Sequence, residues 1–176
     1  LLISLKLHPQ AQAVTVTNLN DTGPGSIRQA IADTPAGGTI DFTVTGTIVL
    51  TTGQMVIDKD LTVTGPGASN LALSQNSTNR ILVVSNGIVS ISGLTIANGN
   101  CFADDGDGGG IKNLATLTLR NCLITSNFAF GSGGGIANHN PAVLVVRDSL
   151  IMSNRAVALG GGISCSGTTT VIGSTI

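Results

Sequence analysis

The chain has no glutamate, no tryptophan and no tyrosine, and aromatics make up only 2% of its 176 residues. Charged side chains are equally scarce, at 10%, where an ordinary globular domain carries about a quarter. The missing aromatics exclude a core built on large rings and leave Val, Ile, Leu and Ala to fill it. They also remove the Trp and Tyr platforms on which sugars usually stack. With few good helix formers and many Thr, Val, Ile, Gly and Asn, the composition favours strands and tight turns over helices. The net charge of -1 leaves no electrostatic footprint for nucleic acid or anionic lipid. Three cysteines, an odd number, do not make a disulfide framework, and Cys122, inside an apolar run, reads as a small hydrophobe. No apolar stretch is long enough to span a membrane.

What is present is a repeat. Gly-Gly-Gly-Ile begins at 108, 133 and 160, steps of 25 and 27 residues. "CLITSN" (122–127) and "SLIMSN" (149–154) keep the same beat, and Ser174 of "GSTI" falls one period after Ser149. "ATLTLRN" (115–121) and "AVLVVRD" (142–148) lie between them. Each period thus holds three short apolar or alternating segments separated by turns, too short for helices and suited to strands. Such a period predicts one coil of a right-handed, single-stranded parallel β-helix, with coils stacked about 4.8 Å apart. The glycines would allow a sharp turn and close approach of coils. Ile111, Ile136 and Ile163 would stack inward as a ladder. Asn113 and Asn138 would hydrogen-bond along the stack, and Cys165 would interrupt that ladder. Asn127 and Asn154 mark a second corner.

Segments 80–99, 55–74 and 38–50 supply earlier, less regular coils, about five to six in all. Ile27, Ala30 and Ile31 fall on one face of a short helix, with Ser26 as its N-cap and Pro35 beyond its end. A solenoid end exposes strand edges and bare core, so this helix is expected to cap it. The fold class predicted is therefore all-β, a solenoid with an N-terminal capping helix, occupying residues 14–176 as one domain. Residues 1–13 end in Ala11-Gln12-Ala13, a small-x-small pattern, and read as a signal-peptide remnant. The C-terminal "VIGSTI" stops in mid-coil, which implies further coils or an end-to-end assembly surface.

For chemistry, the richest polar cluster is Asp104, Asp105 and Asp107 in "FADDGDGGG". Carboxylates on a Gly-rich loop offer oxygen ligands to calcium; the alternative is a solvated acidic loop. No other cofactor is implied. Arg120 and Arg147 occupy equivalent outward positions and, beside Asn121 and Asp148, are expected to form a surface ion-pair or hydrogen-bonded ladder. His8 and His139 read as surface residues. If Val63, Ile91, Leu119, Val146 and Val171 point inward, then Thr62, Ser90, Thr118, Val145 and Thr170 form an outward column, a flat face that could meet ice or another ordered surface.

"VTVTNLNDTGPGSIRQAIADTPAGGTIDF" with "LTVTGPGASNLALS" resembles the N-terminal part of secreted bacterial parallel β-helix proteins, adhesin-like members of the pectate-lyase-like superfold. The Gly-Gly-Gly-Ile repeat with "SNFA" is similar to the repeats of chlamydial polymorphic outer-membrane proteins, although the third small residue here is Gly and no Phe-x-x-Asn follows. These resemblances imply a secreted or cell-surface location. Several lyases of this superfold use calcium with an Arg or Lys base. Of the polygalacturonase motif set, only Asp104-Asp105 matches. The function expected is a non-enzymatic module for adhesion, display or assembly, with a surface ligand or polysaccharide as partner, no nucleic acid and no catalytic residue. The alternatives are a polysaccharide lyase and an ice- or surface-binding face.

Overall fold

The computed structural model describes residues 13–102 and 105–176. The expected signal segment, apart from Ala13, and Asp104 therefore lie outside the described residues. The chain winds into a parallel β-solenoid of about six turns. It enters through β1 (Val14–Val16) and α1 (Ile27–Asp33). The first coil holds β2 (Gly38–Phe42), β3 (Gly46–Leu50) and β4 (Met55–Ile57), and the second β5 (Leu61–Thr64), β6 (Leu71–Gln75) and β7 (Leu82–Val84). The third holds β8 (Ile88–Ser92), β9 (Thr95–Ala97), β10 (Asn100–Cys101) and β11 (Ile111–Asn113). The fourth holds β12 (Thr116–Arg120), β13 (Leu123–Thr125), β14 (Phe128–Ala129) and β15 (Ile136–Asn138). The fifth holds β16 (Val143–Arg147), β17 (Leu150–Met152), β18 (Arg155–Ala156) and β19 (Ile163–Cys165), and β20 (Thr168–Ile172) opens the last.

Equivalent strands pair in parallel to give four sheets. Sheet A runs β1-β2-β5-β8-β12-β16-β20, sheet B β3-β6-β9-β13-β17, sheet C β4-β7-β11-β15-β19 and sheet D β10-β14-β18. Sheet D corrects the expectation of three segments per period: the last three full coils carry a fourth strand. Its members are two residues long, too short to show any periodicity in the sequence.

The interior is a set of aliphatic columns. Met55, Leu82, Ile111, Ile136 and Ile163 stand in register along sheet C, and Val63, Ile91, Leu119, Val146 and Val171 along sheet A. All are buried except the final-coil members, Ile163, which is half-buried, and Val171, which is exposed. A core only as wide as the gap between facing strands takes branched aliphatic side chains and leaves little room for rings.

Corners repeat as faithfully as columns. After the sheet A strands, Gly93, Asn121, Asp148 and Gly173 have φ between 49° and 63°. After sheet B, Asn98, Ser126 and Ser153 have φ of 56–59°. Before sheet C, Gly108, Gly133 and Gly160 have φ of 63–71°. These left-handed positions suit Gly and, next, Asn and Asp. The other two glycines of each triplet serve closeness: a Cβ on Gly134 would lie 2.4 Å from the Arg155 carbonyl oxygen, and one on Gly135 2.6 Å from that of Gly162.

Two amide ladders tie the coils together. Asn113 Nδ2 donates to Asn138 Oδ1 at 2.7 Å. Asn138 Nδ2 then meets the Thr168 carbonyl at 2.9 Å and the Cys165 sulfur at 3.8 Å. Cys165 thus ends the ladder, since its thiol is a weak acceptor. At the sheet B–D corner, Asn127 Nδ2 donates to Asn154 Oδ1 at 3.0 Å. Cys122, Ser149 and Ser174 form a third column, with the Cys122 N–H on Ser149 Oγ and the Ser149 N–H on Ser174 Oγ. Burial pushes the Cys122 thiol pKa up, which keeps it protonated and inert.

α1 spans the expected residues, with Ser26 Oγ accepting the Gln29 N–H at 3.3 Å. Ile27, Ala30 and Ile31 are buried and join the core cluster. The helix packs on β1, and a groove of about 410 Å³ lined in part by Ile31, Ala32, Met55 and Val56 separates it from β4. α1 thus replaces the sheet B and sheet C strands of the entry coil and covers the N-terminal end. Among the described residues no helix is long and apolar enough to cross a membrane.

Candidate functional site

The acidic loop follows β10 and precedes the first Gly-Gly-Gly turn. One coil later, the "NHN" turn after β15 brings His139 to it. Ligand atoms of Asp105, Asp107 and His139 lie within 4.8 Å of one another. His139 was expected at the plain surface. It is instead half-buried, with Nε2 3.5 Å from Asp107 Oδ2, and that nitrogen is buried without a hydrogen bond.

The cluster is closed by two cations. Arg80, 2% exposed, enters from the coil below at the start of β7. Its Nη2 donates to Asp105 Oδ1 at 2.9 Å and to the Cys101 sulfur at 3.1 Å. Nε donates to the Asp107 carbonyl at 3.0 Å, and Nη1 to Gln54 Oε1 at 3.0 Å. Lys112, from β11, pairs with the other carboxylate oxygen of Asp105. Burial opposes ionisation of Asp105. Hydrogen bonds from Lys112 and the Asp107 N–H, with the charges of Lys112 and Arg80, outweigh it and hold the carboxyl below the usual range. Asp107 Oδ1 accepts the Ser132 N–H at 2.5 Å. Asp105 and Asp107 thus bind coil to coil, and a cation at Asp105 would have to displace Lys112 against the buried guanidinium of Arg80.

Arg80 was the residue that sequence reasoning overlooked, and the period could have revealed it. It stands 25 residues before Asp105 and 27 before Asp107, one coil away. In a solenoid, charges one period apart are neighbours.

Beside this loop, three of the four phenylalanines gather at sheet D: Phe128 in β14, with Phe102 and Phe130 just after β10 and β14. Phe102 lies 5.3 Å from Phe128 and 5.7 Å from Phe130, centroid to centroid, and the Arg155 guanidinium sits over Phe128 at 5.8 Å. Phe102 and Phe130 are more than half exposed. An aromatic surface exists despite the composition, because coiling gathers residues that the sequence scatters.

Sheet A presents a different face. Thr39, Thr62, Ser90, Thr118, Val145 and Thr170 line up outward in register. In the next outward column stand Thr64, Ser92, Arg120, Arg147 and Ile172. The expected ion-pair or hydrogen-bonded ladder at the arginines does not form: among the described residues neither makes an ion pair. Asn121 and Asp148 instead form the left-handed corner after each strand, where the backbone turns away from the arginines. These arginines end sheet A strands, whereas the acidic loop joins sheet D to sheet C, so the two belong to different parts of the coil. No family model matches the chain, and neither a curated protein nor a solved structure matches it.

Proposed function

We propose that the chain is a non-enzymatic secreted or cell-surface module, a rigid solenoid whose long outer face serves adhesion or display. The observation that carries this reading is the register of sheet A: on six of its seven parallel strands one outward column aligns five hydroxyl side chains and Val145. Positions repeated about every 4.8 Å on a stiff surface suit a ligand that is itself extended or periodic. Each contact is weak, and their number along the face supplies avidity without new chemistry. The same column favours a second reading, an ordered surface such as ice, which Val145 interrupts at one rung.

A polysaccharide lyase has less support. It would need a base, a charge stabiliser and a substrate platform converging on one face. Asp105 is instead committed to Arg80 and Lys112, and the two outward arginines of sheet A stand on another part of the coil. The test is to incubate the immobilised protein with a panel of soluble polysaccharides, host-cell surfaces and ice, and to assay the same polysaccharides for release of unsaturated sugars with and without calcium. Retention without turnover, weakened by Thr62→Glu and Thr118→Glu, is expected. Turnover abolished by Asp105→Ala or Arg120→Ala would replace the adhesion reading with the lyase.

A further inference from the structure

We infer that Arg120 and Arg147 form the anchor of a binding site for an acidic polysaccharide on the outer face of sheet A. This rests on the adhesion reading and gives it a ligand class. The two residues are register partners on β12 and β16, so their Cα atoms stand one strand apart, about 4.8 Å. Leu119 and Val146 beside them are fully buried, and the alternation of the strands turns both arginines outward. Arg120 is exposed and Arg147 half-buried.

Like charges directly opposite each other on neighbouring strands are destabilising, whereas the other described cations each have a partner: Lys59 reaches the Ala32 carbonyl and Arg155 lies over the Phe128 ring. Arg28 pairs with Asp21, and Arg80 and Lys112 with Asp105. Arg120 and Arg147 form no such pair among the described residues, although Asp148 is adjacent in sequence to Arg147. Equivalent positions in other coils hold Thr64, Ser92 and Ile172, so the fold does not require a charge there. Two unneutralised guanidinium groups side by side are a complement for anions spaced along an extended chain.

Guanidinium forks take carboxylates bidentately, and the hydroxyls of Ser90 and Thr118 in the adjoining column can exchange hydrogen bonds with sugar hydroxyls. Two arginines on a chain of net charge -1 are too sparse for a polyphosphate or an anionic membrane, which reward dense basic clusters. The outward columns that flank them also hold no aromatic residue on which single-stranded bases would stack. A carboxylated glycan lying along the solenoid axis fits charge, spacing and hydrogen-bonding groups together.

The experiment uses the full chain and alginate or polygalacturonate as probe, followed by biolayer interferometry. Binding is expected to weaken strongly in about 0.5 M salt, where screening shortens to a few ångström. Arg120→Gln and Arg147→Gln should each lose about tenfold in affinity, and Arg120→Lys with Arg147→Lys should recover only part of it, because lysine lacks the fork. Arg155→Gln, on sheet D, should bind as wild type. Thermal melting of each variant checks that the fold is intact. Undiminished binding by a folded Arg120→Gln, Arg147→Gln double variant would overturn the site. Equal binding to neutral dextran, or better binding to polyphosphate or DNA, would overturn the ligand class. A wild-type protein that holds no polyuronate overturns this inference alone; the adhesion reading falls only if the wider panel of surfaces also fails to bind.

Discussion

At the scale of single residues, the glycine triplets show two different constraints in three consecutive positions. Gly133 has φ of 71° and turns the chain; Gly134 and Gly135 lie outside the left-handed region but face carbonyl oxygens of the adjacent coil. The Cβ of an alanine at 134 would meet two of them, at 2.4 Å and 2.5 Å, and backbone of a stacked coil cannot move aside alone. Gly134→Ala should therefore cost about 3 kcal/mol. Gly37 supplies the contrast. Its φ is 79°, yet a Cβ there would meet nothing within 4 Å, so Gly37→Ala should cost only about 1 kcal/mol of backbone strain. Urea unfolding of the two variants measures the difference, and equal losses would show that coil approach is not what the triplets serve.

At the scale of elements, α1 is held by more than its apolar face. Arg28 Nε donates to Asp21 Oδ1 at 2.6 Å, and Nη1 reaches the Gln54 carbonyl at 2.9 Å. Asp21 Oδ2 accepts the Thr51 and Thr52 N–H groups, both at 2.8 Å, and both threonine hydroxyls. This clasp joins the helix to the turn between β3 and β4. Burial of Asp21 opposes its charge, but the hydrogen bonds from Arg28, Thr51 and Thr52 win and hold its pKa far below the ordinary carboxylate value. Asp21→Asn should cost about 3 kcal/mol at neutral pH, because it leaves the Arg28 charge with a neutral partner. The sign of the pH dependence follows from the depressed pKa. The ionic contribution is complete above the unfolded value of about 3.9 and disappears as pH falls toward the folded one. Denaturation at pH 7 and near pH 3 should therefore show the gap between wild type and variant narrowing in acid. A gap independent of pH would mean that the clasp does not act through charge.

At the scale of the whole molecule, each coil contacts chiefly its neighbours, and stability adds up along one axis. The end coils are then the weak points. Removing residues 14–35 would take away β1 and α1 together, baring the outer edge of β2, the groove side of β4 and the apolar residues under Ile27 and Ile31. Unpaired parallel edges recruit other chains. The truncated protein should elute as aggregate in size-exclusion chromatography and bind a hydrophobic dye. A monomeric truncation with unchanged melting would remove the capping role from α1.

By itself the sequence determined the period, the parallel solenoid, the extent of α1, the Ile111–Ile136–Ile163 column and the amide ladder from Asn113 to Asn138. All of these depend on residues one period apart being stacked, a relation that local spacing carries in full. The glycine-triplet corner was legible for the same reason; the left-handed corners at Asn121 and Asp148 and at Ser126 and Ser153 were not, because such residues also occur in ordinary turns and strand ends. Sheet D was not legible, since two-residue strands leave no alternation to read. The partners of the polar residues were decided only by tertiary structure. Arg80 meets Asp105 and Asp107, His139 swings beside Asp107, and Phe102 joins Phe128 and Phe130, because the lateral angle between corners brings different loops onto one side of the coil. Arg120 and Arg147, expected to find partners beside them, form no ion pair among the described residues, because Asn121 and Asp148 stand where the chain turns away from the strand with left-handed φ.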